Sequence, residues 1–381
     1  MIYFLLPNVN VIIDMKCIFL DENESYVSNS LCNYLNVMKK KIDHFEGDWD
    51  IFKKYTNPFE YINTIIPKKN VCISKIKPLS RSFYKMIELI DMFDLLENVS
   101  VNMKSFHIAE GPGGFIEALT MKRNNVNDSY VGMSLVDDKD DKNIPGWNKS
   151  RQFLEKNRNV FIENGKNEDG DILNIDNFDY VIDKYSNIDM ITGDGGFDFS
   201  IDFNNQEEVM FRLLYAQVCY ALCMQKQGGC FILKIFDCFM KRTIDLLYLL
   251  SSFYKKTYIT KPQTSRYANS EKYIVCKGFY KSVNKGVLRN VFIQILESEN
   301  INSIIDTRIP EYFINKVEEM NAIFGQQQID TINNTMKLIE NKQKSDKTEN
   351  LVKNNIQKCI HWCTKHNIPY NNITYNSFIN D

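Results

Sequence analysis

The spacing of hydrophobic positions changes twice along the chain, near residues 78 and 284. Up to residue 77 the pattern predicts a small α/β extension. Its first stretch, MIYFLLPNVNVIIDMKCIFL, is apolar but interrupted by Pro7, Asn8, Asn10 and Asp14, which predicts one or two strands. Leu31, Tyr34, Leu35 and Met38 then recur at helical spacing, with Ser28 and Ser30 as candidate caps. From residue 78 strands and helices alternate. LSRSFYKMIELIDMFDLL reads as an amphipathic helix, SFHIAEG as a strand running into glycines, and GGFIEALTM as the helix after it. YVGMSLV, NVFIE, IDMITGD, GGCFILKIFD, KTYIT and KYIVCKGFY supply six more strands, and RTIDLLYLLSSFY a further helix. This alternation predicts a mostly parallel sheet covered by helices. KPQTSRYANSE is too short for a crossover helix, so the last two strands should be antiparallel. From residue 284 helical patterns replace the strands, at Val287–Leu296, Pro310–Phe324, Ile329–Glu340 and near Asn354–His366. The charged segment NKQKSDKTEN is expected as an exposed loop. Three stretches follow: 1–77, 78–283 and 284–381.

Composition narrows the class. The 381 residues are 44% hydrophobic and 25% charged, as in an ordinary globular protein that buries its own core. A net charge of −2 excludes a polybasic coat, while a local basic groove stays open. No run of 18 apolar residues is present, so no membrane-spanning helix is expected, and no basic segment precedes the N-terminal apolar stretch as a signal peptide would require. The ten cysteines are then expected as reduced thiols in the cytoplasm or nucleus. Abundant Lys, Asn and Ile fit an AT-rich genome, either a large DNA virus or a eukaryote.

Candidate chemistry sits at strand ends. Glu110-Gly111-Pro112-Gly113-Gly114-Phe115 joins the first strand of the sheet to a helix. Glycines let a ligand approach the backbone, and a helix N-terminus offers free N–H groups. Ligands of doubly wound sheets bind outside the carboxyl ends of the strands. Ile116 replaces the third glycine of a dinucleotide fingerprint, which disfavours NAD. Asp137 ends the next strand, where a ribose hydroxyl would be met, so another nucleoside ligand remains open. Asp194 follows the fourth strand, Glu271 opens the last, and Lys85 lies on the helix before the sheet. Alone, Asp194 reads equally as a turn residue and Glu271 as a solvated strand start. Lys234 is different, because a lysine inside an apolar strand is costly without a partner.

Six motifs carry a resemblance: SRSFYK (80–85), AEGPGGF (109–115), NEDGDI (167–172), DMITGDGGFD (189–198), GGCFILKIFD (228–237) and KPQTSRYANSEKYIVCKGF (261–279). Together they resemble the FtsJ-like RNA ribose 2′-O-methyltransferases with a Lys-Asp-Lys-Glu tetrad, and most of all the cap-specific mRNA enzymes of the cap-1 type. The likeness covers roughly residues 78–280 and is weaker around CIHWCTKHNIP. It implies a Rossmann-like class I S-adenosylmethionine-dependent methyltransferase fold, with a seven-stranded, mostly parallel sheet containing one antiparallel strand. It also implies Lys85, Asp194, Lys234 and Glu271 as the catalytic set. The cofactor would be S-adenosylmethionine, held by Glu110, Gly111, Pro112, Gly113, Gly114 and Phe115. Asp171 would accept from the adenine amino group and Asp194 would face the sulfonium. In this scheme a ribose 2′-OH attacks the sulfonium methyl. A free lysine has a pKa near 10.4, and burial and a neighbouring ammonium both lower such a value. That fits Lys234 as the base or an orienting group and Lys85 as the neighbouring cation, with the four groups titrating as a set.

The expected substrate is capped RNA, with capping or transcription machinery as possible partners. Arg81, Ser265, Arg266 and Asn269 lie beside the tetrad in sequence and are candidate RNA contacts. Trp147 is a candidate for stacking on an exposed base. Lys139, Lys142, Lys149 and Arg151 surround it as a phosphate groove, although Asp137, Asp138, Asp140 and Asp141 read equally as a solvated mixed-charge loop. No metal site is expected. Cys359, His361, Cys363 and His366 read as a packed helix, since no second ligand pair matches their spacing. Cys219 and Cys223 read as core. The alternatives are cap-2 or rRNA/tRNA methylation, or a non-catalytic RNA-binding subunit on the same fold. The intact tetrad weighs against the last.

Overall fold

The computed structural model describes residues 2–20, 26–45, 47–136, 146–196, 206–343 and 345–373. In chain order the elements of the extension are β1 (Tyr3–Leu6), β2 (Met15–Phe19), α1 (Asn29–Lys41) and α2 (Trp49–Thr56). The central region holds α3 (Ser82–Phe93), β3 (Lys104–Ile108), α4 (Gly114–Arg123), β4 (Ser129–Met133), α5 (Arg151–Lys156), β5 (Val160–Glu163), α6 (Ile175–Lys184), β6 (Ile188–Gly193), α7 (Gln206–Met224), β7 (Gln225–Ile235), α8 (Lys241–Phe253), β8 (Tyr254–Thr260) and β9 (Lys272–Phe279). The chain continues through α9 (Lys285–Glu297), β10 (Ile301–Ile305), α10 (Glu311–Glu340) and α11 (Ser345–Lys365).

One sheet organises the molecule, in the order β1-β8-β9-β7-β6-β3-β4-β5. Neighbours from β7 through β5 run parallel, and β9 lies antiparallel to both β7 and β8. This is the Rossmann-like α/β sheet expected, with all seven strands in place. Every residue of β6 is buried, because helices cover both faces of a parallel sheet. One face packs under α6, α7, α8 and α9 through Phe178, Leu214, Leu246 and Phe292. The other packs under α3, α4 and α11 through Ile87, Leu119 and Trp362.

Four features differ from the expectation. β1 joins the sheet as an eighth strand, antiparallel to β8 with Tyr3 opposite Thr260. Its four residues alternate exposed and buried, too short a signal to assign a partner 250 residues away. β10 appears where only helices were expected and pairs with β2 in a separate two-stranded sheet. The two helical patterns after Pro310 are one continuous helix, α10. Gly325, at their junction, packs so closely on α1 that a Cβ there would lie 3.0 Å from Leu31 Cδ2. Likewise α11 begins inside the charged segment expected as a loop. Among the described residues no helix is long and apolar enough to cross a membrane.

Candidate active site

The parallel topology places the ends of β3, β6 and β7 along one rim of the sheet, and the antiparallel β9 begins at the same rim. Asp194 follows β6 directly, Lys234 is the penultimate residue of β7, and Glu271 immediately precedes β9. Lys85 enters from the first turn of α3. The four side chains form two ion pairs. Lys85 Nζ lies 2.7 Å from Glu271 Oε1, and Lys234 Nζ lies 3.2 Å from Asp194 Oδ1 while donating to the Asp194 carbonyl at 2.5 Å. Tyr273 stands opposite Lys234 in the β7–β9 register and donates its hydroxyl to Asp194 Oδ1 at 3.1 Å. The Lys85 ammonium lies 6.0 Å from the centre of the Tyr273 ring.

Burial opposes ionisation of Glu271, but the Lys85 and Lys234 charges outweigh it and hold the carboxyl at about 2, down from 4.5. A carboxyl depressed in the folded state stabilises the fold above its ordinary pKa. That contribution is lost as pH falls from about 4.5 toward 2. The stability difference between wild type and Glu271→Gln, read from urea midpoints, should therefore shrink across that window. Curves that run parallel through it would deny Glu271 this ion-paired role.

Sequence reasoning missed the support behind the tetrad. Lys261, just after β8, is fully enclosed and donates to the Asn269 carbonyl, Asn269 Oδ1 and the Glu271 carbonyl at 2.7, 2.9 and 2.7 Å. Burial, with the Lys272 charge next, pushes its pKa well below that of an ordinary lysine. Asp237 is likewise buried, between Lys39 of α1 at 2.7 Å and Lys272 at 3.7 Å. Burial works against its ionisation, yet the Lys39 and Lys272 charges hold its carboxyl below the usual range. Lys234 and Asp237 share one strand end, and Glu271 and Lys272 are neighbours, so α1 is anchored directly behind both halves of the tetrad.

The candidate RNA contacts are placed unevenly. Ser265 donates to Glu271 Oε1 at 2.9 Å, and Asn269 holds Lys261. Arg81 and Arg266 converge on Glu60, a fully buried carboxylate of the N-terminal extension, at 2.8 and 2.7 Å. These four residues line one side of the tetrad. Trp147 stands apart, packed over the glycine turn, with ring atoms 3.1 and 2.5 Å from where Cβ atoms on Gly113 and Gly132 would lie. Its indole N–H is buried and has no partner among the described residues. Arg151 is exposed and faces Glu155 at 3.3 Å. Lys139, Lys142 and Asp137, Asp138, Asp140 and Asp141 lie outside the described residues.

The glycine turn opens α4, with Gly113 at φ +99°. Glu110 is buried, and its carboxylate accepts from the Phe115 and Ile116 N–H groups at 2.6 and 3.1 Å and from Thr192 Oγ1 at 2.8 Å. It thus caps α4 from inside the turn. The Pro112 carbonyl accepts from Ser150 Oγ. Phe115 is fully buried 6.0 Å from the Tyr273 ring, which couples the turn mechanically to Asp194. Asp171 lies in the loop beside the end of β4, where Gly170 (φ +66°) approaches so closely that a Cβ would sit 1.9 Å from the Ser134 carbonyl oxygen. Asp171 Oδ1 accepts from the Leu173 N–H at 2.9 Å, and Oδ2 has no partner among the described residues. Cys359 and Cys363 are buried in the α11 core, and His366 Nδ1 lies 2.7 Å from Asp91. Among the described residues no group of three potential ligands could hold a metal ion.

The family model for FtsJ-like methyltransferases matches residues 78–279, just over half of the chain. The chain belongs to this family. It is similar to the cap-specific mRNA (nucleoside-2′-O-)-methyltransferase 1A of Caenorhabditis briggsae, at 30% identity over 66% of this chain and 31% of that protein. The corresponding methyltransferase 1 of Trypanosoma brucei brucei is 25% identical over 68% of this chain and 72% of that protein. A protein named as the inactive form 1B of C. briggsae is 28% identical over 66% of this chain and 32% of its own length. The chain thus spans about a third of the nematode relatives and most of the trypanosome one. None of the three is viral, so the viral origin considered from composition gains no support from them.

Proposed function

We propose that the chain transfers a methyl group from S-adenosylmethionine to the ribose 2′-OH of the first transcribed nucleotide of capped mRNA. The observation that carries this is the convergence of Lys85–Glu271 and Lys234–Asp194 on one strand rim, in a chain whose relatives are named as cap-specific methyltransferases.

The residues present fit the cofactor. Gly111, Gly113 and Gly114 leave the backbone of the turn approachable, and Asp171 keeps one carboxylate oxygen without a partner among the described residues for an adenine amino group. Asp194 would face the sulfonium, whose positive charge a nearby carboxylate favours. When bound, S-adenosylmethionine supplies an electrophilic methyl group. Lys234 then acts on the attacking 2′-OH. Its Nζ is held by Asp194 at two points, the carbonyl and Oδ1, as the group that takes the hydroxyl proton. Lys85, fixed by Glu271, supplies the neighbouring positive charge. Tyr273 and Phe115 hold the base and the cofactor turn in register, and alignment of alcohol with methyl supplies much of the rate. Residues 78–283 would carry the chemistry, with 1–77 and 284–381 as supporting extensions.

Incubation with labelled S-adenosylmethionine and matched short RNAs tests the proposal, one carrying an N7-methylated cap and one a 5′ triphosphate. Nuclease mapping should place the label on the first-nucleotide ribose of the capped RNA alone. Label on the second nucleotide would move the assignment to cap-2, and equal internal labelling of both RNAs to rRNA or tRNA methylation. Cofactor binding without any transfer would place the chain with the inactive relative.

A further inference from the structure

Between the segment leading into α3 and the α5 region lies a cleft of about 470 Å³ that the methyl-transfer scheme does not use. One wall is the segment leading into α3, with Lys77, Pro78 and Leu79. The opposite wall is one helical face, because Lys149, Gln152, Phe153 and Lys156 recur at i, i+3, i+4 and i+7 across the turn at Asn148–Ser150 and α5. Lys77, Lys149 and Lys156 are all exposed, and none has an ion pair among the described residues.

Three lysines with no ion pair among the described residues converge on one depression, on a chain whose 46 basic and 48 acidic residues nearly balance. The single carboxylate in the cleft is Glu117, whose Oε2 is engaged by the Leu79 N–H at 2.7 Å, which leaves three lysines against one acid. Between the lysines lie Pro78, Leu79 and half-buried Phe153, an apolar strip suited to a base or sugar. The cleft adjoins the glycine turn. Leu79 Cδ1 lies 3.7 Å from where a Cβ on Gly113 would be, and Lys85 follows within two turns of the same segment.

We propose that this cleft is a phosphodiester-binding subsite that holds nucleotides of a single RNA strand next to the target ribose. The inference rests on the RNA-directed function proposed above and extends it from the reacting nucleotide to its neighbours. A lysine contacts a phosphate as a point charge, so the subsite reads backbone rather than sequence. Each phosphate neutralised on a single strand contributes about −0.7 to the slope of log K against log salt.

The test compares the full chain with a Lys77→Gln/Lys149→Gln/Lys156→Gln variant. Binding of a capped RNA of about ten nucleotides and of a cap dinucleotide is measured as a function of salt, with S-adenosylmethionine affinity and thermal midpoint as controls for folding. The variant should bind the longer RNA about tenfold or more weakly at low salt, with a salt slope about 2 units shallower. The dinucleotide and the cofactor should bind both proteins equally. Lys156→Gln alone should remove about one third of the slope change. An unchanged affinity and slope for the longer RNA would overturn the proposal. An equal loss for the dinucleotide would overturn it too, by assigning the lysines to the cap phosphates. If wild type methylates no RNA but the slope difference persists, the enzymatic function fails and the subsite stands.

Discussion

Lys234→Ala should lower the rate of methyl transfer at least a thousandfold, on the order expected when a general base is lost together with its positioning role. S-adenosylmethionine binding and far-UV circular dichroism should show that the fold survives, with some loss of thermal midpoint because Asp194 loses its ion-pair partner and keeps only the Tyr273 hydroxyl. Lys234→Arg separates two roles. A guanidinium preserves the positive charge beside Asp194 but does not lose its proton in a protein, so it cannot accept one from the 2′-OH. An inactive arginine variant supports Lys234 as base, and an active one makes it only a cation. Single-turnover methylation of capped RNA across pH is the measurement. Wild-type-like rates in the alanine variant would remove Lys234 from the chemistry.

The largest effect on stability is expected at Lys39→Met. Asp237 is a buried carboxylate whose close partner is Lys39 at 2.7 Å, with Lys272 more distant at 3.7 Å. Removing one partner of a buried pair costs about 3–5 kcal/mol, because the remaining charge is left in a medium that solvates it poorly. Lys272 offsets part of this, so about 3 kcal/mol is expected from urea unfolding. The double variant Lys39→Met/Asp237→Leu should recover most of the loss, since two apolar groups leave no unpaired charge. A destabilisation below about 1 kcal/mol in Lys39→Met would mean that Asp237 is satisfied without α1.

The sequence already contained the strands of the central sheet, the glycine turn and the four tetrad positions. Buried parallel strands are continuous apolar runs, and an isolated lysine within one, Lys234, stands out for that reason. The unforeseen parts have one cause in common. β1 and β10 are four and five residues long and acquire meaning only through partners far along the chain, β8 and β2. Lys39 and Asp237 are separated by 198 residues, and nothing at either position marks it as half of an ion pair. Lys261 stood inside a motif already singled out, yet its enclosure depends on how residues 261–271 fold back on themselves. Nothing in the sequence marks Glu60, and its role follows only from Arg81, just ahead of α3, and Arg266 of the 261–271 loop converging on it. Local pattern reveals elements and isolated anomalies, whereas charge pairing across elements is a property of the closed fold.

β1 bears on how the protein can be handled. It covers the outer hydrogen-bonding edge of β8 with a strand whose own exposed positions include Tyr3 and Leu5. A fragment trimmed to the family-matched residues 78–279 would leave that edge of β8 open. An uncovered strand edge is a template for pairing with a second chain. Such a fragment is expected to self-associate in proportion to its concentration even where its catalytic rim is intact, so low activity in it would report lost monodispersity before it reported chemistry.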